Sequence, residues 1–166
     1  ATGINWNFSP CIAIPQDERW GRHYEGYSEH VDIVSEMGEA SIIGYQTKEL
    51  GSVNHSVVAC AKHFIADGAT IWGTGMGNDP NKIDRGNAPI SDSLIRAKYL
   101  PPYQKALDAG VGTVMASFNS INDLKCHANG YLFNDLLKDE MGFDGFVISD
   151  WQGIDEIPGD YKSDII

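Results

Sequence analysis

The hydrophobic positions of this chain are concentrated in four short runs, separated by longer segments in which apolar and polar residues mix. Each run has the length of a β-strand and is rich in β-branched or aromatic residues, which favours strand structure. The runs are INWNFS at 4–9, VVACA at 57–61, GTVMAS at 112–117 and GFVIS at 145–149. Because the runs are nearly continuously apolar, we expect strands that are covered on both faces.

The segments between the runs have apolar residues at helical spacing and predict three amphipathic helices, over 29–44, 91–109 and 130–141. The apolar faces are expected to consist of Ile33, Val34, Met37 and Ala40 in the first helix, and of Leu132, Phe133, Leu136 and Leu137 in the third. Alternation of buried strands with such helices is typical of a parallel sheet whose faces are covered by helices.

Capping and helix-breaking residues refine these boundaries. Ser91 is the expected N-cap of the second helix, because its hydroxyl can accept a hydrogen bond from a first-turn amide. Pro101 and Pro102 predict a kink or a restart in that helix, since proline lacks the N–H that continues helical bonding. Gly142 is the expected end of the third helix.

The resulting order, β-α-β-α-β-α-β, fits either a small doubly wound domain or half of a (β/α)8 barrel, whose complete form needs about 250 residues. The connections that follow strands are long, at 10–28, 62–90 and 118–129, whereas those that follow helices are tight, at 109–111 and 142–144, with 45–56 as the exception. Long loops after strands lie at the C-terminal edge of a parallel sheet, where such folds build their sites.

Composition narrows the classes of partner. The 166 residues include 12 Lys and Arg and 23 Asp and Glu, which gives a formal net charge of −11. We therefore expect neither a nucleic-acid nor a membrane partner, since both need clustered basic residues and no segment is long and apolar enough to cross a bilayer. The three cysteines have no metal-like spacing, and no metal or organic cofactor is implied.

Polar residues cluster at the predicted strand ends, and parallel strands would bring them to one rim. They are Arg22 in the first long loop, Lys62 and His63 after the second run, and Asp150 and Trp151 after the fourth. A carboxylate at the mouth of a buried strand loses hydration, and Lys62 and Arg22 are expected to keep Asp150 ionised. Alone, Asp150 is equally well explained as a nucleophile at a sugar anomeric carbon or as a helix N-cap.

The adjacent pair Lys62 and His63 is open to three interpretations. A turn at the strand end could bring both to the rim, where they would donate to hydroxyls of one sugar ring. They could also be structural, with Lys62 paired to a carboxylate and His63 satisfied in the core. A lysine at a barrel strand end can form a Schiff base with a carbonyl substrate, although Asp67 and Asp150 would oppose this by stabilising its charged form.

The loop DERWGRHYEGYSE at 17–29 places arginines beside aromatic residues, a composition suited to vicinal hydroxyls or a carboxylate. Part of this loop is expected to be self-packed, with Glu25 paired to an arginine. Asp84 and Arg85 in KIDRGN are a further candidate pair at the rim, which a surface salt bridge explains more simply.

Taken together, four segments in order resemble glycoside hydrolase family 3, in particular the catalytic barrel of its two-domain β-glucosidases and exo-β-glucanases. The segments are FSPCIAIPQDERWGRHYEGYSE, VVACAKHFIADGAT, TVMASFNSIND and GFVISDW. The resemblance covers nearly the whole chain. It implies an α/β fold, a partial (β/α)8 TIM barrel of about four parallel strands with three covering helices.

The resemblance also implies roles for individual residues. Asp150 in the SDW motif resembles the catalytic nucleophile, and Trp151 resembles an aromatic residue at the rim of the glucose pocket. Lys62, His63 and Arg22 resemble residues that bind hydroxyls of the terminal glucose. Members of this type perform retaining hydrolysis through a glycosyl-enzyme intermediate, which implies release of terminal non-reducing β-D-glucose from β-glucans or β-glucosides.

Two positions depart from the family pattern and bear on substrate contacts. Phe118 stands where many relatives have tyrosine, which removes one hydroxyl contact. Glu156 stands where some plant glucan exohydrolases place an arginine near the aglycone. The run KHFIADGAT also lacks the second histidine of the loop found in single-domain β-N-acetylglucosaminidases, which favours the two-domain glucosidase type.

The length of the chain leads us to expect a fragment, 1–166, of one catalytic barrel domain, with earlier strands and a second domain absent. The acid/base carboxyl is then expected outside this chain, and the fragment alone should be inactive. Expected partners are the rest of the barrel and the second domain, or another copy that covers the open edges. A Schiff-base lyase and a non-catalytic sugar-binding module remain alternatives, and the resemblance favours a secreted or periplasmic location.

Overall fold

The computed structural model describes residues 3–78 and 80–159, and it shows an α/β fold with two small sheets. The strands are β1 (Cys60–Phe64), β2 (Asn87–Ala88), β3 (Thr113–Ala116), β4 (Ser120–Ile121), β5 (Leu124–Lys125) and β6 (Phe146–Ile148). The central sheet is parallel, in the order β1-β3-β6, with Thr113 opposite both Cys60 and Phe146. The parallel central sheet confirms the prediction. The second sheet, β2-β4-β5, is built from the loops that follow β1 and β3.

Helices cover one face of the central sheet. Val114 is fully buried there, and Val147, its partner in register, packs into the same core. The helices are α1 (Val31–Gln46), α2 (Asp92–Leu94) and α3 (Leu100–Asp108), with π-helical segments at Ile95–Tyr99 and Tyr131–Glu140.

The first predicted strand, at 4–9, is not a continuous strand. Two isolated parallel bridges mark its course: Trp6 is bridged to Val58, just before β1, and Cys11, beyond the predicted run, is bridged to Lys62 in β1. Its own ladder is interrupted, because Ser9 donates its amide to the Asn7 side chain (2.8 Å) and Pro10 has no amide to donate. In the central sheet, three regular strands and this irregular segment therefore correspond to the four strands that the sequence predicted.

The second predicted strand, at 57–61, is displaced to Cys60–Phe64, so Lys62 and His63 lie within β1 and not after it. The pairing of β1 with β3 shifts register between Ala61 and Phe64. Such an irregularity interrupts the strict alternation of side chains, and both Lys62 and His63 line one cavity. We expected a turn beyond the strand to bring both side chains to the rim. In the structure, they line the same cavity from within the strand, where its register shifts.

The buried face of α1 differs from the predicted one. Ile33 and Met37 are 46% and 45% exposed, and Ala40 is exposed as well. The helix turns Gly38 toward the sheet instead, where a Cβ atom would lie 2.7 Å from Ile12 Cγ2. The buried residues are Val34, Ser35, Gly38, Ile42 and Gln46. The prediction considered only apolar side chains. It therefore missed the close approach of α1 to Ile12, which is possible because Gly38 has no side chain.

The second and third helices follow the predictions more closely. Ser91 Oγ accepts a hydrogen bond from the Leu94 amide (3.2 Å), as an N-cap does. After a π-helical segment the helix restarts with both prolines in its first turn. In the Tyr131–Glu140 helix, three of the four predicted apolar positions are buried, and Gly142 beyond it has a φ of 72°.

A buried glutamine joins α1 to the starts of two strands. Gln46 is 1% exposed, and its Oε1 accepts from the amides of Ala59 (2.9 Å) and Gly112 (3.0 Å). Its Nε2 donates to the carbonyl of Gly110 (2.7 Å). One side chain thereby satisfies three backbone groups and fixes α1, β1 and β3 relative to one another.

The face of the sheet opposite the helices carries a row of exposed aromatic side chains. Trp6 donates its indole N–H to Thr113 Oγ1 (3.1 Å) and packs edge-on against Phe8 and Phe146. Phe8 and Phe146 are 48% and 55% exposed. Contiguous apolar surface of this kind is typical of a contact surface.

We expect Gln46→Leu to lower the free energy of unfolding by roughly 2–5 kcal/mol, because it removes the side-chain partner of three backbone groups, one in a buried and two in partly buried hydrogen bonds. Gln104→Leu is the matched control: Gln104 is exposed and donates only to Asp108 (3.0 Å), so its loss should cost less than about 0.5 kcal/mol. Denaturant unfolding of both variants beside the parent protein measures the difference. Equal effects would show that the buried contacts of Gln46 do not matter.

Expressed by itself, this chain should self-associate, because Phe8 and Phe146 are exposed and β6 is the last strand of the parallel sheet. Size-exclusion chromatography with light scattering measures the mass, and replacing Phe8 and Phe146 with serine should shift the protein toward the monomer. A monodisperse, cooperatively melting monomer of the unaltered chain would be incompatible with this account.

Candidate active site

The C-terminal ends of the parallel strands surround a cavity of about 670 Å³. Parallel register places these ends at one edge of the sheet, so residues far apart in sequence converge there. The five polar or aromatic residues singled out at the strand ends all line the cavity: Arg22, Lys62, His63, Asp150 and Trp151. The structure thus brings together, on one side of the sheet, the residues that the sequence predicted to meet.

Asp150 follows β6, and its side chain is 15% exposed. One carboxylate oxygen, Oδ1, accepts from the Trp151 amide (2.7 Å), whereas Oδ2 is buried without a hydrogen-bond partner among residues 3–78 and 80–159. The short helix Gly153–Glu156 is not capped by this side chain: its first amide bonds to the main-chain carbonyl of Asp150 (2.9 Å). The N-cap alternative is therefore wrong, and one oxygen of Asp150 has no competing partner there.

His63 lies between two charged side chains. Its Nδ1 is 2.8 Å from Asp67 Oδ2, and its Nε2 is 2.9 Å from Arg22 Nη2 and 3.6 Å from Asp150 Oδ2. A guanidinium can only donate, so Nε2 must accept the Arg22 hydrogen bond and the ring proton must sit on Nδ1. His63 therefore acts as an acceptor toward the cavity, whereas the sequence interpretation made it a donor.

The cations do not contact Asp150 in the way that we expected. Arg22 donates to both oxygens of Glu25 (2.8 and 2.9 Å), and these hydrogen bonds hold the pKa of Glu25 below its ordinary value. Lys62 lines the cavity, but no ion pair joins it to Asp150 within the described part of the chain. Arg22 is thus engaged by a second carboxylate, and His63 is the neighbour of Asp150 Oδ2.

Aromatic and charged residues form the rim of the cavity. Trp151 is 80% exposed, with its indole available for stacking. The Arg85 guanidinium lies 4.0 Å from the ring centre of Phe118 and forms an ion pair with Glu156. Asp84, considered in the sequence as its partner, accepts from the Trp20 indole (2.9 Å). Phe118, Asp84 and Asp150 line a second, much smaller cavity; a supporting role for Phe118 and Asp84 stays a prediction.

Sequence reasoning did not select two residues that the structure places beside Asp150 and His63. Asp67 follows His63 by four positions, and an acid so soon after a histidine at a strand end is a signal that could have been used. His127 Nε2 accepts from the Asp150 amide (3.2 Å), and burial lowers the pKa of this imidazole. His127 comes from a separate loop, and no local pattern marks it.

Cys11, His63 and Asp67 place potential metal ligands within 4.8 Å of one another, an arrangement that cysteine spacing could not show. Their hydrogen bonding fits a polar cluster better than a metal centre. Both nitrogens of His63 already have partners. Burial, followed by the charge of Asp67, raises the pKa of the Cys11 thiol to about 12, whereas metals bind the thiolate.

Comparison with known proteins gives concordant results. The periplasmic beta-glucosidase of Salmonella typhimurium is 36% identical over 155 residues, which is 93% of this chain and 19% of that protein. A beta-xylosidase of Formosa agariphila is 39% identical over 154 residues, 90% of this chain and 20% of that protein. A mutant exo-1,3/1,4-beta-glucanase from a Pseudoalteromonas species is 40% identical and has a TM-score of 0.86, over 96% of this chain and 24% of its own.

The matches show that this chain corresponds to one part of longer proteins. It spans about a fifth of the length of the two curated relatives. The structural likeness, together with the parallel sheet and its covering helices, identifies part of a (β/α)8 barrel-like domain. The family model described as the glycosyl hydrolase family 3 N terminal domain matches residues 1–163. The chain therefore belongs to glycosyl hydrolase family 3.

Proposed function

We propose that this chain is the part of a retaining β-glycosidase that binds the terminal non-reducing glucose of a β-glucan or β-glucoside and supplies the nucleophile. The observation that supports this most directly is the unpartnered Oδ2 of Asp150 beside a cavity lined by basic side chains and an indole. A positioned carboxylate next to donors for hydroxyl groups is the arrangement that glycosyl transfer to a protein requires.

Asp150 is the nucleophile in this proposal. One oxygen of its carboxylate bonds to the anomeric carbon while the bond from that carbon to the leaving-group oxygen breaks, and a general acid protonates that oxygen. Water then attacks the same carbon and gives a proton back to the general acid, which releases glucose and the free carboxylate. Both transition states have oxocarbenium character, which an adjacent carboxylate stabilises.

The general acid of this proposal belongs to another part of the polypeptide. Retaining catalysis needs a second carboxyl about 5–5.5 Å from the nucleophile. Asp67 shares His63 with Asp150, but it is buried and already accepts the His63 hydrogen bond. This chain spans about a fifth of its relatives' length. We therefore place the acid in a second domain of the polypeptide, separate from the remaining strands of the barrel.

The sugar is held by side chains of complementary chemistry. Lys62 and Arg22 line the cavity and can only donate, which suits the oxygens of sugar hydroxyls. His63 Nε2, an acceptor, suits a hydroxyl proton once the Arg22 contact is shared or displaced. Trp151 offers an exposed indole against which the apolar face of a sugar ring stacks.

Glucose is the proposed sugar because two of the three relatives compared above are named for glucosidase or glucanase activity, and the third for xylosidase activity. A secreted or periplasmic location is proposed from the name of the Salmonella relative. Within residues 3–78 and 80–159, no helix combines the length and apolar character needed to cross a bilayer.

In the complete polypeptide that carries this sequence, Asp150→Ala should lower kcat on an aryl β-glucoside by at least about 10³-fold, because no other group can take over the covalent step. Azide should restore part of the turnover and give the α-glucosyl azide, since it attacks from the space of the missing carboxylate. Asp135→Asn alters an exposed carboxylate on the Tyr131–Glu140 helix and should stay within about twofold of the parent.

Near-parental turnover by Asp150→Ala would rule out the assigned nucleophile. Glucose binding by the unaltered polypeptide without hydrolysis of any β-glucoside would indicate a sugar-binding module instead. Reductive trapping of a carbonyl compound on Lys62 would indicate Schiff-base chemistry.

A further inference from the structure

Asp67 lies in a buried loop after β1. It begins the short helix Asp67–Ala69, and its side chain is buried, with the residue 7% exposed. The next residue, Gly68, touches another segment so closely that a Cβ atom would lie 2.6 Å from the carbonyl oxygen of Ile14. The amide of Gln16 donates to the Gly68 carbonyl (2.9 Å). The backbone that follows Asp67 is therefore held closely against the segment 14–16.

The contacts of Asp67 select one tautomer of His63. Its Oδ2 accepts from His63 Nδ1 at 2.8 Å, and its Oδ1 is buried without a hydrogen-bond partner in the described ranges. Ionised Asp67 can only accept, so it requires the proton of His63 on Nδ1. Arg22 can only donate, so it requires the lone pair on Nε2. The two charged groups select the same tautomer from opposite sides of the ring.

Loss of the Asp67 charge would remove this selection. With the proton on Nε2, the ring would point an N–H at the Arg22 guanidinium, donor against donor, and one of the two side chains would have to move. His63 Nε2 is also 3.6 Å from Asp150 Oδ2, so a moving ring changes the surroundings of the nucleophile as well. The geometry of Arg22, His63 and Asp150 therefore depends on one buried carboxylate behind them.

We propose that Asp67 is a positioning residue, which fixes the tautomer and orientation of His63 and through it the place of Arg22 beside Asp150. The inference rests on the proposed glycosidase function and deepens it: Asp67 touches neither the sugar nor the reacting carbon. Carboxylates that orient a metal-bound histidine in this way are worth about 10–100-fold when they are replaced, and we expect an effect of that size for Asp67.

The test is Asp67→Asn in the complete polypeptide. Asparagine has the same shape but can donate as well as accept, so it no longer selects one tautomer. We expect kcat/KM on an aryl β-glucoside to fall by about 10–100-fold, mainly through KM because the sugar contacts are held in ground state and transition state alike. The melting temperature should stay close to that of the parent, and Asp135→Asn is again the control.

A double-mutant cycle separates positioning from any independent role. In a His63→Ala background, Asp67→Asn should cost less than about twofold, because the group through which it acts is gone. Multiplicative losses, or parental kinetics in Asp67→Asn, would overturn the proposal.

The structural readout does not depend on turnover. A crystal structure of Asp67→Asn should show the His63 ring rotated or its contact with Arg22 lost; an unmoved ring would refute the inference even if the parent polypeptide hydrolysed no β-glucoside. A parent polypeptide that hydrolysed no β-glucoside would refute the proposed function instead, so the two failures are distinguishable.

Discussion

Parallel pairing of the central strands is the constraint on which this structure depends. Thr113 lies opposite both Cys60 and Phe146, and one face of the sheet is sealed by helices. Because all three strands run in the same direction, whatever follows them arrives at one edge. Residues as distant in sequence as Lys62 and Asp150 therefore share a cavity, and reversing any one strand would separate them.

Within that cavity, hydrogen bonding gives chemically identical groups different roles. Glu25 is bound by Arg22 through both of its oxygens, and Asp67 is bound by His63. Asp150 lines the cavity and its Oδ2 has no hydrogen-bond partner among the residues that the structure describes, whereas the equally unpartnered Oδ1 of Asp67 does not belong to the lining of that cavity. The first two carboxylates therefore orient their neighbours, while the third is available to react.

The sequence was sufficient for the features that depend on local pattern. Buried runs, helical spacing and polar residues at the ends of runs indicated the order of elements and the five residues that line the cavity. It was insufficient where backbone detail decides: α1 packs through Gly38, and β1 begins three positions later than its apolar run. It predicted that Glu25 would pair with an arginine of its own loop but could not show which one, since competing partners of similar charge are resolved only in three dimensions.

Identification of the residue that becomes glycosylated is the most direct test of the central claim, that the carboxylate delivered by β6 forms a covalent intermediate. The complete polypeptide would be incubated with dinitrophenyl 2-deoxy-2-fluoro-β-D-glucoside, whose fluorine slows hydrolysis of the intermediate so that it accumulates. Proteolysis and mass spectrometry should then locate the fluoroglucosyl group on Asp150 within GFVISDW. A label on a different residue, or no label on a polypeptide that hydrolyses aryl β-glucosides, would contradict the account.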